Sequence, residues 1–207
     1  MAGPPKGPVL GPMVICGIEI SPRTYGELKA ERVRDSKKIG ENRRAELAEL
    51  IRKRAKKIEF VEFWPGEIDR MREGGTNLNE IEAIGFAELL DLFKASRAYI
   101  DSASANSEEF ARALKGLCEK DSMRLIVEHK ADENYLPVSA ASIMAKVRRD
   151  GRIEELKEDY GEIGSGYPAD ERTVRFLEDW IKRKGELPAI ARKTWKTAKR
   201  MKGIFDS

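Results

Sequence analysis

The chain contains no glutamine, a single histidine (His129) and two cysteines (Cys16 and Cys118) in 207 residues, and each scarcity removes a class of function. With no second histidine a His-based zinc site is excluded, and two cysteines so far apart have no zinc-ligand spacing. Two isolated cysteines suit a reducing compartment, and both read as small core hydrophobes. No apolar run approaches the roughly 20 residues of a membrane-spanning helix, and the N-terminus lacks the charged-then-apolar pattern of a secretory signal, so no membrane partner and a cytoplasmic location are expected. No glycine-rich phosphate loop is present, and no serine lies in a nucleophile-elbow sequence.

What the chain has in abundance is charge. Lys and Arg number 39 against 36 Asp and Glu, for a net charge of +3. The distribution says more than the sum. Between Ile181 and Gly203 stand nine basic residues and one acid, Glu186, with Trp195 among them. Such a stretch is either an electrostatic footprint for phosphates or a solvated helical face. The high charge content and lack of glutamine are compatible with a thermophilic source.

The length suits one α/β domain with a small appendage. Strand and helix patterns alternate, with strands expected at about Val9–Ile20, Ile58–Trp64, Arg97–Asp101 and Met123–Glu128. Helices are expected over Glu41–Lys57, from an Asn77 or Asn79 cap through Leu92, after a Ser107 cap, and over Ser139–Tyr160. A glycine-rich turn at Gly161, Gly164, Gly166 and Pro168 precedes two further helices, Glu171–Lys184 and Pro188–Met201.

Two short apolar runs, Ala98–Ile100 and Leu125–Val127, each deliver a carboxylate at or just beyond a strand end: Asp101 and Asp132. Carboxylate oxygens are hard ligands suited to Mg²⁺ or Mn²⁺, and three or four of them can hold two ions for phosphodiester hydrolysis. Two do not make such a cluster, and strand-end aspartates also serve as helix caps.

Eight ordered motifs carry a resemblance: KGPVLGPMVICG (6–17), VRDSKK (33–38), NLNEIE (77–82), YIDS (99–102), EHKAD (128–132), VSAASIMAKVRRD (138–150), GSGYPAD (164–170) and ARKTWKT (191–197). With them the chain resembles ribonuclease HII of the archaeal and eukaryotic type over nearly its whole length. The resemblance implies an α/β, ribonuclease H-like fold: a mixed five-stranded sheet with flanking helices over residues 1–150, and a helical C-terminal substrate-binding extension over 151–207. It implies metal-dependent endonucleolytic cleavage of RNA in RNA–DNA hybrids, including a nick on the 5′ side of a single ribonucleotide in duplex DNA. Hybrid and ribonucleotide-containing duplexes are the implied partners, Mg²⁺ or Mn²⁺ the implied cofactor, and a monomer the implied state.

Residue by residue, Asp101 and Asp132 match the third and fourth acidic ligands and so inherit metal-binding and catalytic roles. Tyr167 matches the tyrosine that stacks on the sugar beside the ribonucleotide, where the 2′-hydroxyl discriminates RNA from DNA. Lys6 and Gly7 fall in the family's substrate-reading loop, and Lys37 and Lys38 resemble phosphate-contacting positions, with Asp35 organising their loop. Arg192, Lys193 and Lys196 would contact the duplex backbone, which positions a substrate without reading its sequence. The segment KGIFDS has one phenylalanine, Phe205, so no sliding-clamp docking peptide is recognised there.

The departure is at the N-terminus. Aligned on Lys6, Gly7 and Pro8, the family's Asp-Glu-Ala-Gly is replaced by Ala2, Gly3, Pro4 and Pro5, so two of four metal-binding acids are missing. Glu19 lies on the wrong stretch of chain to replace them. Pro5 lacks an N–H where the family has glycine, and prolines cannot pair within a central strand. A missing or vestigial first strand and impaired catalysis are therefore expected, with a duplex-binding protein as the alternative to an active enzyme.

Overall fold

The computed structural model describes residues 7–33, 40–102, 104, 106–118 and 123–205. Lys6, Asp35, Lys37 and Lys38, and the Pro4–Pro5 pair expected to abolish the first strand, lie outside the described residues. The elements run β1 (Met13–Glu19), α1 (Pro22–Ala30), α2 (Glu41–Arg54), β2 (Lys57–Phe63), α3 (Pro65–Glu73), α4 (Leu78–Leu92), β3 (Arg97–Ser102), α5 (Ser107–Leu117), β4 (Arg124–His129), α6 (Ala131–Asn134), α7 (Leu136–Tyr160), α8 (Glu171–Lys184) and α9 (Lys196–Phe205). Among the described residues the strands pair as β1–β2 and β3–β4, two two-stranded sheets, where the resemblance implies one sheet of five strands. None of the described helices is long and apolar enough to cross a membrane.

Local chemistry accounts for most boundaries. Ser21 caps α1, its hydroxyl accepting from Thr24 N–H at 3.1 Å, with Pro22 at the first helical position. Asn106, one residue before the expected cap, takes that role for α5 and accepts from Glu109 N–H at 3.2 Å. Asp170 starts α8, and Gly185, at φ 72, ends it in the left-handed conformation glycine tolerates.

The described residues divide into two compact units, one within 14–62 and 78–147, the other within 7–13, 63–77 and 148–205. The first is cored by Val14 and Cys16 of β1, Leu47, Ala48 and Ile51 of α2, and Val138, Ala141 and Met144 of α7. Burial pushes the Cys16 thiol well above its ordinary pKa, as expected of a core hydrophobe. Cys118, by contrast, is only half-buried, just past the end of α5.

The second unit packs Val9, Leu10, Ile153, Ile163, Phe176, Leu177 and Ile181 together. Two expectations are corrected here. The strand expected from Val9 begins only at Met13, because Gly11 takes φ 78 and a β-carbon there would lie 2.8 Å from Ile153. Residues 9–11 instead bond to 190–192: Gly11 N–H to Ile190 O and Arg192 N–H to Val9 O, both at 2.9 Å. The helix expected over Pro188–Met201 begins at Lys196. Its first half is drawn into that pairing, and a distant acid, Asp69, captures the N–H groups of Lys193 and Thr194 at 2.8 and 3.0 Å.

Candidate active site

In the first unit, β3 and β4 run parallel, with Asp101 opposite Glu128 and Ser102 opposite His129. Lys130 then adopts a left-handed backbone, φ 58, which turns the chain sharply into α6. The N–H of Ala131 donates to Asp101 Oδ1 at 3.0 Å, and the next residue is Asp132, only 4% exposed. Two aspartates 31 positions apart are thus drawn to one end of the β3–β4 pair. The backbone carbonyl of Asp132 accepts from the buried Ser139 hydroxyl of α7, which pins α6 to the long helix.

Neighbouring groups are committed elsewhere. Glu128 accepts from Tyr135 Oη and from Asn134 Nδ2, and the bond to Glu128 raises the Tyr135 pKa. Tyr135 also packs on Tyr99, ring centroids 4.4 Å apart. The His129 ring nitrogen Nδ1 lies 3.2 Å from Ser102 O, and Glu19 is ion-paired with Lys56. Among the described residues no group of three or more His, Cys, Asp or Glu could hold a metal ion. A pair of hard carboxylates fits one Mg²⁺-like ion, which keeps several waters and needs only one or two protein carboxylates. It does not fit a two-ion clamp.

In the second unit, Tyr167 stands on a turn whose backbone groups are nearly all tied. Glu162 and Asp170 carboxylates accept from Gly164 and Ser165 N–H, each at 2.8 Å, and Thr173 Oγ1 accepts from Gly166 N–H at 3.0 Å. Gly166 O accepts from Val9 and Leu10 N–H at 2.8 and 3.1 Å. The Arg172 guanidinium, with the Ser165 N–H, holds the Asp170 carboxyl well below the usual carboxylate range. Glycine is required at Gly164 (φ 67), where a β-carbon would lie 2.6 Å from Thr173 Oγ1 and 2.7 Å from Thr173 N. The pairing of Val9 with Gly166 brings Gly7 against the Tyr167 ring, its β-carbon position 3.7 Å from Cδ1 and Cε1. Two residues singled out as substrate contacts therefore meet.

The basic segment is more divided. Arg192, expected on the exposed basic face, is fully buried. Its Nε donates to Gly11 O at 3.1 Å, its guanidinium stacks 4.8 Å from the Trp195 ring, and its two terminal nitrogens have no hydrogen-bond acceptor among the described residues. Burial lowers its pKa to about 10. The residue is held by the 9–11 pairing rather than presented to solvent. Lys193 and Lys196 are exposed. Lys193, Lys199 and Lys202 line a cavity of about 370 Å³ with Glu186, Leu187 and Gly203.

Two residues were not singled out in the sequence. Asp69, 7% exposed, accepts from Lys193 N–H, Thr194 N–H and Thr194 Oγ1 (2.6 Å), and nothing within α3 announces that partner. Arg149 did leave a signal: it lies four residues from both Ala145 and Ile153, on the buried face of α7, and is itself 3% exposed.

A small mixed α/β sheet flanked by helices, with aspartates delivered at a strand end, defines the ribonuclease H-like class. The crystal structure of the ribonuclease H2 from Pyrococcus horikoshii OT3 superposes with a TM-score of 0.89 at 38% identity, covering 99% of this chain and 96% of that one. The chain belongs to the ribonuclease HII family, whose sequence model, Ribonuclease HII, matches residues 3–198. It is 44% identical to Ribonuclease HII of Thermococcus onnurineus over 198 residues, 95% of this chain and 86% of that protein. The structure of the PCNA:RNase HII complex from Archaeoglobus fulgidus matches with a TM-score of 0.85 at 40% identity, covering 94% of this chain and 93% of that one. The family's activity is that of an endonucleolytic ribonuclease H.

Proposed function

We propose that this chain binds RNA–DNA hybrids and duplex DNA containing single ribonucleotides and nicks them on the 5′ side of the ribonucleotide, slowly for its family. The observation that carries the reading is the strand-end pair: Asp101 at the end of β3, bonded to the amide that precedes the buried Asp132. Asp101 and Asp132 would hold one Mg²⁺ or Mn²⁺ ion, which when bound supplies charge neutralisation at the scissile phosphate and an activated water. Asp101, anchored by the Ala131 amide, keeps its carboxylate oriented without reorganisation. Tyr167, on its tied turn beside Gly7, offers a rigid ring to the sugar. Lys193 and Lys196 attract the backbone, and Lys6, Lys37 and Lys38 would add phosphate contacts.

The slowness follows from the missing acids. With Ala2, Gly3, Pro4 and Pro5 in place of the family's Asp-Glu-Ala-Gly, a second ion lacks half its ligands. A second reading, a duplex-binding protein without cleavage, is favoured by one observation: no group of three metal-ligating side chains stands together among the described residues. Incubation with a duplex carrying one ribonucleotide, in Mg²⁺ and in Mn²⁺, beside Asp101→Asn, separates the two. Nicking lost in the variant supports the enzyme; binding without nicking supports the second reading; no binding refutes both.

A further inference from the structure

We propose that Arg149 is the positioning residue for Tyr167, fixing the orientation of the ring and with it the discrimination between ribonucleotide and deoxyribonucleotide. The inference rests on the reading of Tyr167 given above.

Four observations carry it. The Arg149 side chain is 3% exposed, a costly place for a charge, and it reaches that place from α7. Its Nη1 donates to Ser165 O at 2.7 Å, two residues before the tyrosine, and its Nη2 pairs with Asp150 Oδ1 at 2.6 Å. Its guanidinium carbon lies 4.5 Å from the Tyr167 ring centroid, within cation–π range. Finally, Gly7 lies against the same ring.

Arg149 holds one backbone group of the turn, the Ser165 carbonyl, and other residues hold the rest. Gly164, Ser165 and Gly166 are already tied by Glu162, Asp170, Thr173, Val9 and Leu10. Those bonds hold backbone groups of the turn, whereas the Arg149 guanidinium faces the Tyr167 ring itself. A guanidinium anchored at both ends, to Ser165 O and to Asp150, is a fixed plane against which the ring settles. An apolar residue of similar length would fill the space but would supply neither the anchoring nor the attraction to the ring face.

The test compares affinity for an all-DNA duplex with affinity for the same duplex bearing one ribonucleotide, for the wild type, Tyr167→Ala, Arg149→Met and Arg149→Lys, with thermal unfolding of each. The ratio is the readout, because a purely structural loss lowers both affinities together. The expected result is a ratio reduced about tenfold in Arg149→Met, the scale of a desolvated cation–π interaction. All-DNA affinity should fall less than affinity for the ribonucleotide duplex in Arg149→Met, Tyr167→Ala should lose at least as much of the ratio, and Arg149→Lys, which keeps a cation on a single donor nitrogen, should recover part of it. If Tyr167→Ala loses the preference but Arg149→Met keeps it, the positioning role is overturned while the reading of Tyr167 stands. A wild type with no preference, or a Tyr167→Ala variant that retains it, overturns both. Should Arg149→Met fail to fold, Arg149→Lys with a wild-type ratio and wild-type stability supports a packing cation and overturns the positioning role, and Arg149→Lys folded with a reduced ratio supports that role.

Discussion

Asp69→Ala should destabilise the second unit by about 3–5 kcal/mol. The Asp69 carboxylate, 7% exposed, accepts three hydrogen bonds, from Lys193 N–H at 2.8 Å, Thr194 N–H at 3.0 Å and Thr194 Oγ1 at 2.6 Å. A bond to a charged group contributes about 1.5–3 kcal/mol net, and an amide left unpaired in a part-buried site costs about 1–3 kcal/mol. Three bonds removed together do not add fully, since they share one carboxylate, which places the total at about 3–5 kcal/mol. Asp69→Asn keeps one acceptor oxygen and should cost about half as much. The assay is unusually local: Trp64, Trp180 and Trp195 are the chain's three tryptophans, and all belong to the second unit. Urea unfolding followed by tryptophan fluorescence therefore reads that unit directly. A loss below about 1 kcal/mol for Asp69→Ala would refute the view that this carboxylate sets the course of residues 192–195.

Three further outcomes are expected. Gly164→Ala should destabilise far more than Gly161→Ala in the same fluorescence assay, because both have positive φ but only Gly164 would drive a β-carbon into Thr173; Gly161→Ala should cost about 1–2 kcal/mol, and equal losses would contradict the packing of the turn. Asp170 has its pKa lowered by Arg172 and the Ser165 amide, so its contribution is complete above the ordinary value of 3.8 and fades as pH falls below it. An Asp170→Asn variant should accordingly lose less stability than the wild type on acidification below about pH 4, and parallel curves would refute this. Replacing Lys199 and Lys202 together by alanine should make the salt dependence of duplex binding shallower, by about one log–log unit for each phosphate no longer neutralised, and an unchanged slope would show that the cavity they line takes no phosphate.

Elements held by local signals were readable in the sequence, and those held by distant partners were not. Helix α8 runs over Glu171–Lys184 as its periodicity and its flanking Asp170 and Gly185 require. Strands β3 and β4 follow the apolar runs before Asp101 and His129. The start of α9 depends on Asp69, more than a hundred residues earlier, and on the pairing of 190–192 with 9–11, so no window around Pro188 contains the reason. The burial of Arg192 has the same origin: a basic residue in a basic stretch reads as exposed until its partner, Gly11 O, is known. Asp101 and Asp132 were legible as strand-end carboxylates, whereas the amide of Ala131 that joins them arises only once Lys130 turns the chain.

The most direct test of the central claim is single-turnover nicking of a duplex containing one ribonucleotide, run in Mg²⁺ and in Mn²⁺ with an all-DNA duplex and Asp101→Asn as controls. Slow nicking on the 5′ side of the ribonucleotide is expected, with none on the all-DNA duplex and none with Asp101→Asn. Nicking that survives in Asp101→Asn, or that ignores the ribonucleotide, would contradict the claim.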